Sequence, residues 1–152
     1  MNVTNHNAKA THNEMSLPAT RTHRPSLFVW KDTFRLGIAA VDRDHQHFFE
    51  LINGVQDAMM CGMDQTAVRA TIDMLADYAR DHFAREEQEL AAIGYPHLSQ
   101  HEAEHRYFLG QLDRMASEPK ASARRILALA HEWLIEHILK TDKQYAVWLR
   151  NS

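Results

Sequence analysis

Leu98-Ser99-Gln100-His101-Glu102-Ala103-Glu104-His105-Arg106-Tyr107-Phe108-Leu109-Gly110-Gln111-Leu112-Asp113-Arg114-Met115 is the stretch on which the reading of this chain turns. Leu98, His101, His105, Phe108, Leu112 and Met115 recur in steps of three and four, the spacing of one helical face. An amphipathic helix is therefore expected over about His97 to Ala116. Two of its six inward positions are histidines, where a core wants Leu or Ile.

The same period appears on either side. Upstream, Asp64 can cap a helix that runs to Ile93 and stops at Gly94-Tyr95-Pro96. Its stripe is Val68, Ile72, Leu75, Ala79, His82, Glu86, Leu90 and Ile93. An earlier helix spans about Ala40 to Cys61, ends at Gly62, and turns Val41, His45, Phe48, Phe49, Ile52, Val55 and Met59 inward. Downstream of the Ser117-Glu118-Pro119 break, a fourth is expected from about Ala121 to Leu139 or beyond. Ile126, Ala130, Trp133, His137 and Thr141 form its stripe, with Leu127, Leu134 and Ile138 alongside. Four helices of about 20 residues joined by short loops predict an all-α, antiparallel up-down-up-down four-helix bundle. No segment reads as a strand. Residues 1–26 are polar, carry Pro18 and Pro25, and show no period, so they are expected to form a flexible tail. That tail makes a non-helical N-terminal arm ahead of a bundle over residues 27–152, and Met15 is an alternative start.

Composition narrows the function classes. A chain of 152 residues has room for one domain, and 45% hydrophobic with 24% charged residues is an ordinary globular balance. Seventeen basic against 20 acidic residues leave no surplus to neutralise a phosphate backbone, so no nucleic-acid partner is expected. No apolar run approaches a membrane span, and the N-terminus has no apolar core of a signal peptide. One cysteine, Cys61, fits a reducing compartment, and the chain is expected in the cytoplasm. No exposed apolar stripe is left over, which suggests a monomer. The outlier is 11 histidines.

Five of those histidines and one glutamate interrupt the apolar stripes. An unpaired polar group in such a core costs on the order of 1–3 kcal/mol, so six together require a common partner. His82 with Glu86, and His101 with His105, are i,i+4 pairs about 40° apart on one face, able to grip one centre. His45 and His137 occupy the core faces of the first and fourth helices. His6, His12 and His23 fall in the tail, His47 and His131 point away from their stripes, and His97 sits beside the Pro96 turn. Inward histidines on all four helices indicate a metal site in the bundle. Six donors exceed the four of structural zinc, and Asp142 would make seven. Asp142 lies about 140° round an ideal helix from His137, so it joins only if the helix bends or if it leans towards a second ion. Seven donors with two carboxylates and no thiolate suit two bridged ions of iron or manganese, although affinity order alone leaves zinc open.

Phe28-x-Trp30, Val41-Asp42-x-Asp44-His45, His82-Phe83-x-x-Glu86-Glu87, His101-x-x-x-His105 and Trp133-Leu134-x-x-His137-Ile138-x-x-x-Asp142-x-x-Tyr145 together resemble the bacterial branch of the hemerythrins. The resemblance runs from about Phe28 to Leu149 and leaves the tail aside. It implies a non-haem di-iron centre, bridged by an oxo or hydroxo group, that binds O2 reversibly for storage, transport or delivery. By that resemblance His101, His105 and His137 would hold one iron, His45 and His82 the other, and Glu86 and Asp142 would bridge both. Counting donors then leaves an open position on the second iron for O2. Phe83, Trp133, Leu134 and Ile138 would line the O2 pocket, as an apolar wall that favours reversible binding over oxidation of substrate. An oxygen-consuming enzyme is a conceivable recipient, and oxygen or redox sensing and iron buffering would use the same centre.

Two rivals use the same residues. His101-Glu102-Ala103-Glu104-His105 is literally the H-E-x-x-H zinc protease signature, with Glu102 as general base. The longer metzincin motif continues with glycine and a third histidine, where this chain has Phe108 and Gln111. That reading also leaves His45, His82 and Glu86 unexplained. A ferritin-like oxidase needs two Glu-x-x-His pairs, and only Glu102-x-x-His105 fits. The histidine-rich donor set favours oxygen binding without catalysis, with peroxidase or oxidase activity at most a side reaction.

Overall fold

The computed structural model describes residues 28–117 and 122–152. The tail over residues 1–26 and most of the Ser117-Glu118-Pro119 break lie outside the described residues. An extended arm from Phe28 carries one 3-10 turn at Asp32–Phe34 and leads into α1 (Ala39–Met60). Then follow α2 (Gln65–Ala92), α3 (Leu98–Ser117) and α4 (Ala123–His137), with a π-helical turn (Ile138–Asp142) joining α4 to α5 (Lys143–Asn151). Among the described residues every regular element is helical, and the four-helix bundle expected from the stripes is the architecture. α1 packs on α2 and α4, and α3 on α2 and α4, which closes the ring.

The boundaries follow from local chemistry. The Asp64 side chain accepts a hydrogen bond from the Ala67 backbone N–H at 2.9 Å and caps α2, a contact typically worth about 1 kcal/mol. Gly62 and Gly94 end α1 and α2 with φ of +68° and +70°, a region that costs any side chain energy. Tyr95 N–H then closes back on the Leu90 carbonyl at 3.0 Å. The arm is tied down at both ends. Asn53 exchanges two hydrogen bonds with the Phe28 backbone, at 3.1 and 2.8 Å. Asp42 accepts from the Leu36 and Gly37 N–H groups at 2.7 and 3.1 Å. Phe28 also covers His131, with ring centroids 3.9 Å apart, so His131 is half-buried rather than turned fully to water.

One feature departs from the ideal helix. The fourth helical run continues beyond Leu139 through a π-helical turn and reaches Asn151. The wider turn shifts the inward face by one position, from Ile126, Ala130 and His137 to Asp142, Tyr145 and Ala146. The interior is divided lengthwise. Ile52, Val55, Ile72, Leu75, Leu112 and Ile126 fill one half, each such side chain contributing about 1.5–3 kcal/mol on burial. The polar stripe positions fill the other half. His45 falls early in α1, His82 and Glu86 late in α2, His101 and His105 early in α3, and His137 at the end of α4. Antiparallel neighbours bring these positions to one level.

Candidate metal centre

All seven candidate donors are buried: His45, His82, Glu86, His101, His105, His137 and Asp142 are between 0 and 4% exposed. They meet in two groups that share a residue. Glu86, His101, His105 and His137 offer donor atoms within 4.8 Å of one another, and so do His45, His82 and Glu86. Asp142 reaches into both groups. Its oxygens lie 3.0 Å from His137 Nε2, 3.5 Å from His101 Nε2 and 3.3 Å from His45 Nε2. The π-helical turn is what places Asp142 there, and of the two routes that its spacing from His137 left open it supplies the bend.

A ring of carboxylates outside the donors sets the imidazole tautomers. His82 Nδ1 is 3.0 Å from Asp44 Oδ2, His105 Nδ1 is 2.8 Å from Glu87 Oε1, and His137 Nδ1 is 3.0 Å from Glu104 Oε2. A carboxylate can only accept, so each Nδ1 carries the proton and each Nε2 turns a lone pair inward. Asp44 is itself held by Tyr78 Oη at 3.0 Å and by Arg85 Nη2 at 2.9 Å. Glu104 also accepts from Thr141 Oγ1 at 2.6 Å, and Glu86 Oε1 accepts from Tyr145 Oη at 2.6 Å. The spacing argument missed Asp44, Glu87, Glu104 and Tyr145, because each carboxylate serves a histidine on another helix. The available signal was adjacency: Asp44, Glu87 and Glu104 each sit beside a donor in the chain.

The inner shell is unsatisfied without a cation. His105 Nε2 and His137 Nε2 face each other at 3.0 Å, an arrangement that a shared proton or a metal ion reconciles. Neither oxygen of Asp142 has a partner in hydrogen-bond geometry, although both are buried. The metal-free electrostatics are correspondingly tense. Burial, then the neighbouring His137 and His101, pushes His105 down to about 2. Burial also lowers His82, with Glu86 pulling the other way. For His137 burial opposes protonation, but Asp142, Glu86 and Glu104 outweigh it and raise the value. Burial would raise Asp142, yet His137 and His45 hold it well below the usual carboxylate range. Imidazoles and carboxylates without thiolate fit a borderline or hard divalent ion such as iron, and the donor number fits two.

Two of the four apolar residues expected around the O2 position, Phe83 and Trp133, stack on these imidazoles. Phe83 stacks on His105 with centroids 3.8 Å apart and planes 8° apart, and Trp133 stacks on His137 at 4.3 Å and 15°. Leu134 and Ile138 are buried as well. The void touching Trp133 and Leu134 is only about 10 Å³, bounded by Phe48, Ile52, Leu75 and Phe108. Glu102 is in neither donor group: its side chain is 34% exposed and pairs with Arg106 at 3.5 Å. His47 is half-exposed and bonds Glu50 at 2.9 Å.

Comparison with known proteins bears on the same residues. Residues 36–149 match the family model described as the hemerythrin HHE cation binding domain. Bacteriohemerythrin of Clostridium acetobutylicum is 32% identical over 127 residues, covering 78% of this chain and 98% of the relative. Bacteriohemerythrin of Stenotrophomonas maltophilia is 30% identical over 124 residues, covering 80% of each. Myohemerythrin of Riftia pachyptila is 31% identical over 121 residues, covering 80% of this chain and 92% of its own length.

Proposed function

The chain belongs to the hemerythrin family, and from that membership we propose that it binds O2 reversibly at a pair of non-haem iron ions. The observation that carries the proposal is the division of the buried donors into two groups that share Glu86, with Asp142 reaching both. In this reading His101, His105 and His137 hold one ion, and His45 and His82 hold the other. Glu86 and Asp142 serve both. When bound, the iron pair supplies two electrons that O2 can take up and return.

The protein's own residues do the rest. Asp44, Glu87 and Glu104 keep the Nδ1 protons on the outside, so the Nε2 lone pairs stay available to metal. Tyr145 holds Glu86 in place and keeps its own proton, because burial and the nearby Glu86 and Asp142 charges raise its pKa. Phe83, Trp133, Leu134 and Ile138 exclude water and offer O2 an apolar wall, which disfavours loss of a charged oxygen species. Two carboxylates set against opposite metal charges limit the repulsion between the ions in a low-dielectric core.

The chain is read as a carrier rather than an enzyme, with a bundle over residues 27–152 acting as a monomer in the cytoplasm. Among the described residues no helix is long and apolar enough to cross a membrane. The test is metal analysis together with the absorption spectrum of the reduced protein before and after air. About two irons per chain are expected, with visible bands that appear on oxygenation and fade on its removal. One zinc per chain and no spectral response to oxygen would overturn the reading.

A further inference from the structure

A groove of about 810 Å³ opens where the π-helical turn and α5 pass the start of α3. Its size is within the range of small-molecule sites. Tyr95 and Trp148 form its aromatic floor, with centroids 5.5 Å apart. Lys140, Lys143 and His97 line it with the carboxamides of Gln100 and Gln144, and among the described residues no carboxylate lines it. Lys140 pairs with Glu136, which offsets its charge, whereas Lys143 Nζ donates to the neutral Thr33 carbonyl at 3.3 Å and keeps its charge. Tyr95 is buried and in edge contact with the half-buried Trp148, whose ring is the accessible one; cations and carboxamides beside such a ring are the chemistry that recognises a planar aromatic anion.

The floor of the groove leads inward. Tyr95 meets Tyr145 edge to face at 6.1 Å, and Tyr145 lies 5.7 Å from the His101 ring and bonds Glu86 at 2.6 Å. Three aromatic rings in contact therefore join the groove to two of the candidate iron donors. An iron centre that exchanges electrons with O2 is vulnerable to trapping in the ferric state. We propose that this groove docks a soluble aromatic anion that donates electrons, of the reduced flavin nucleotide class, and that electrons pass through Trp148, Tyr95 and Tyr145 to restore the ferrous pair. The inference rests on the iron reading above. Each reduced flavin gives up two electrons and two protons to become oxidised flavin; the electrons convert two ferric ions to two ferrous ions, and the protons pass to the water that fills the open groove. The aromatic side chains are the medium and end the step unchanged.

The probe is flavin mononucleotide with the purified full chain. Oxidised flavin should bind saturably at one site, read by its fluorescence. His97→Glu and Lys143→Glu together should weaken binding at least tenfold. In anaerobic mixing, reduction of the oxidised iron protein by reduced flavin should saturate with flavin concentration. It should slow at least tenfold in Tyr95→Leu and in Trp148→Leu, with iron content unchanged. Hexaammineruthenium(II), a cation without an aromatic ring, should reduce parent and variants alike. Absence of saturable flavin binding, or equal rates with reduced flavin across the series, overturns the proposal. Equal slowing with both reductants does so too, because the substitutions would then act on the metal pair itself. A chain that takes up no iron overturns the functional reading instead, and flavin binding is still read independently.

Discussion

Glu104 neighbours His105 in the chain but accepts its hydrogen bond from Nδ1 of His137, 3.0 Å away on the next helix. The relation repeats round the bundle. Asp44, beside His45 on α1, holds His82 on α2, and Glu87, beside Glu86 on α2, holds His105 on α3. Each of α1, α2 and α3 thus orients an imidazole of its successor, so the tautomers are correct only when the four helices are assembled. Among the described residues the Nδ1 atoms of His45 and His101 have no partner, which makes the ring of outer carboxylates uneven.

Asp44→Ala should lower iron affinity about 10–100-fold, the usual cost of losing an outer hydrogen-bond partner of a ligating histidine. It removes the acceptor for His82 Nδ1 and strands Tyr78 and Arg85. Asp44→Asn retains a carbonyl oxygen to accept the Nδ1 proton and should fall between variant and parent. Chelator competition measures the difference, and equal affinities in all three proteins would remove Asp44 from the account.

Glu86→Ala should lose more iron than either His82→Ala or His105→Ala. Glu86 belongs to both donor groups, whereas each histidine belongs to one. Iron per chain and the thermal midpoint decide the order. Two retained irons with an unaltered spectrum would show that Glu86 does not bridge.

Leu134→Ala should keep both irons, lower stability by about 2–5 kcal/mol, and speed autoxidation. Leu134 is 3% exposed and borders a void too small for free passage, so truncation admits water where the parent excludes it. An autoxidation rate equal to the parent's would place the open position on another side of the pair.

The metal-free chain should lose stability as pH falls below about 6.5. His105 is pushed down to about 2 and His82 is lowered as well, both chiefly by burial. Their neutral forms are the folded forms, so acid protonates the unfolded chain first and draws the equilibrium towards it. His137 works in the opposite sense: its raised value favours the fold at low pH and is lost as pH rises through it. His105→Gln should flatten the fall between pH 7 and 5, measured by thermal midpoint. An unchanged slope would mean that His105 is not buried in its neutral form.

His131→Ala should loosen the arm and leave iron content intact. Its ring rests on Phe28, remote from the donors, and Phe28 is otherwise held by Asn53. Faster proteolysis of the arm with unchanged iron per chain is the expected pair of results.

The helical period alone put His45, His82, Glu86, His101, His105 and His137 on inward faces, and all six are buried. That information is local: an α-helix turns by a nearly constant angle per residue, so chain spacing fixes which side chains share a face. The helix ends were equally legible, because Asp64 caps through its own side chain and Gly62 and Gly94 through their own backbone geometry.

Asp142 marks where local reading stops. Its spacing from His137 allowed either a bend or a reach across, and the π-helical turn supplies the bend. Nothing in Ile138-Leu139-Lys140-Thr141 announces that turn, which is stabilised by what it brings together: Asp142 among three imidazoles and Thr141 on Glu104. The outer carboxylates were hidden for a related reason. Asp44, Glu87 and Glu104 are polar residues next to inward positions, indistinguishable by spacing from a solvated face. Which histidine each one reaches depends on how far neighbouring helices are rotated and displaced against each other. Those quantities follow from side-chain packing across the whole core, and no window along one helix contains them.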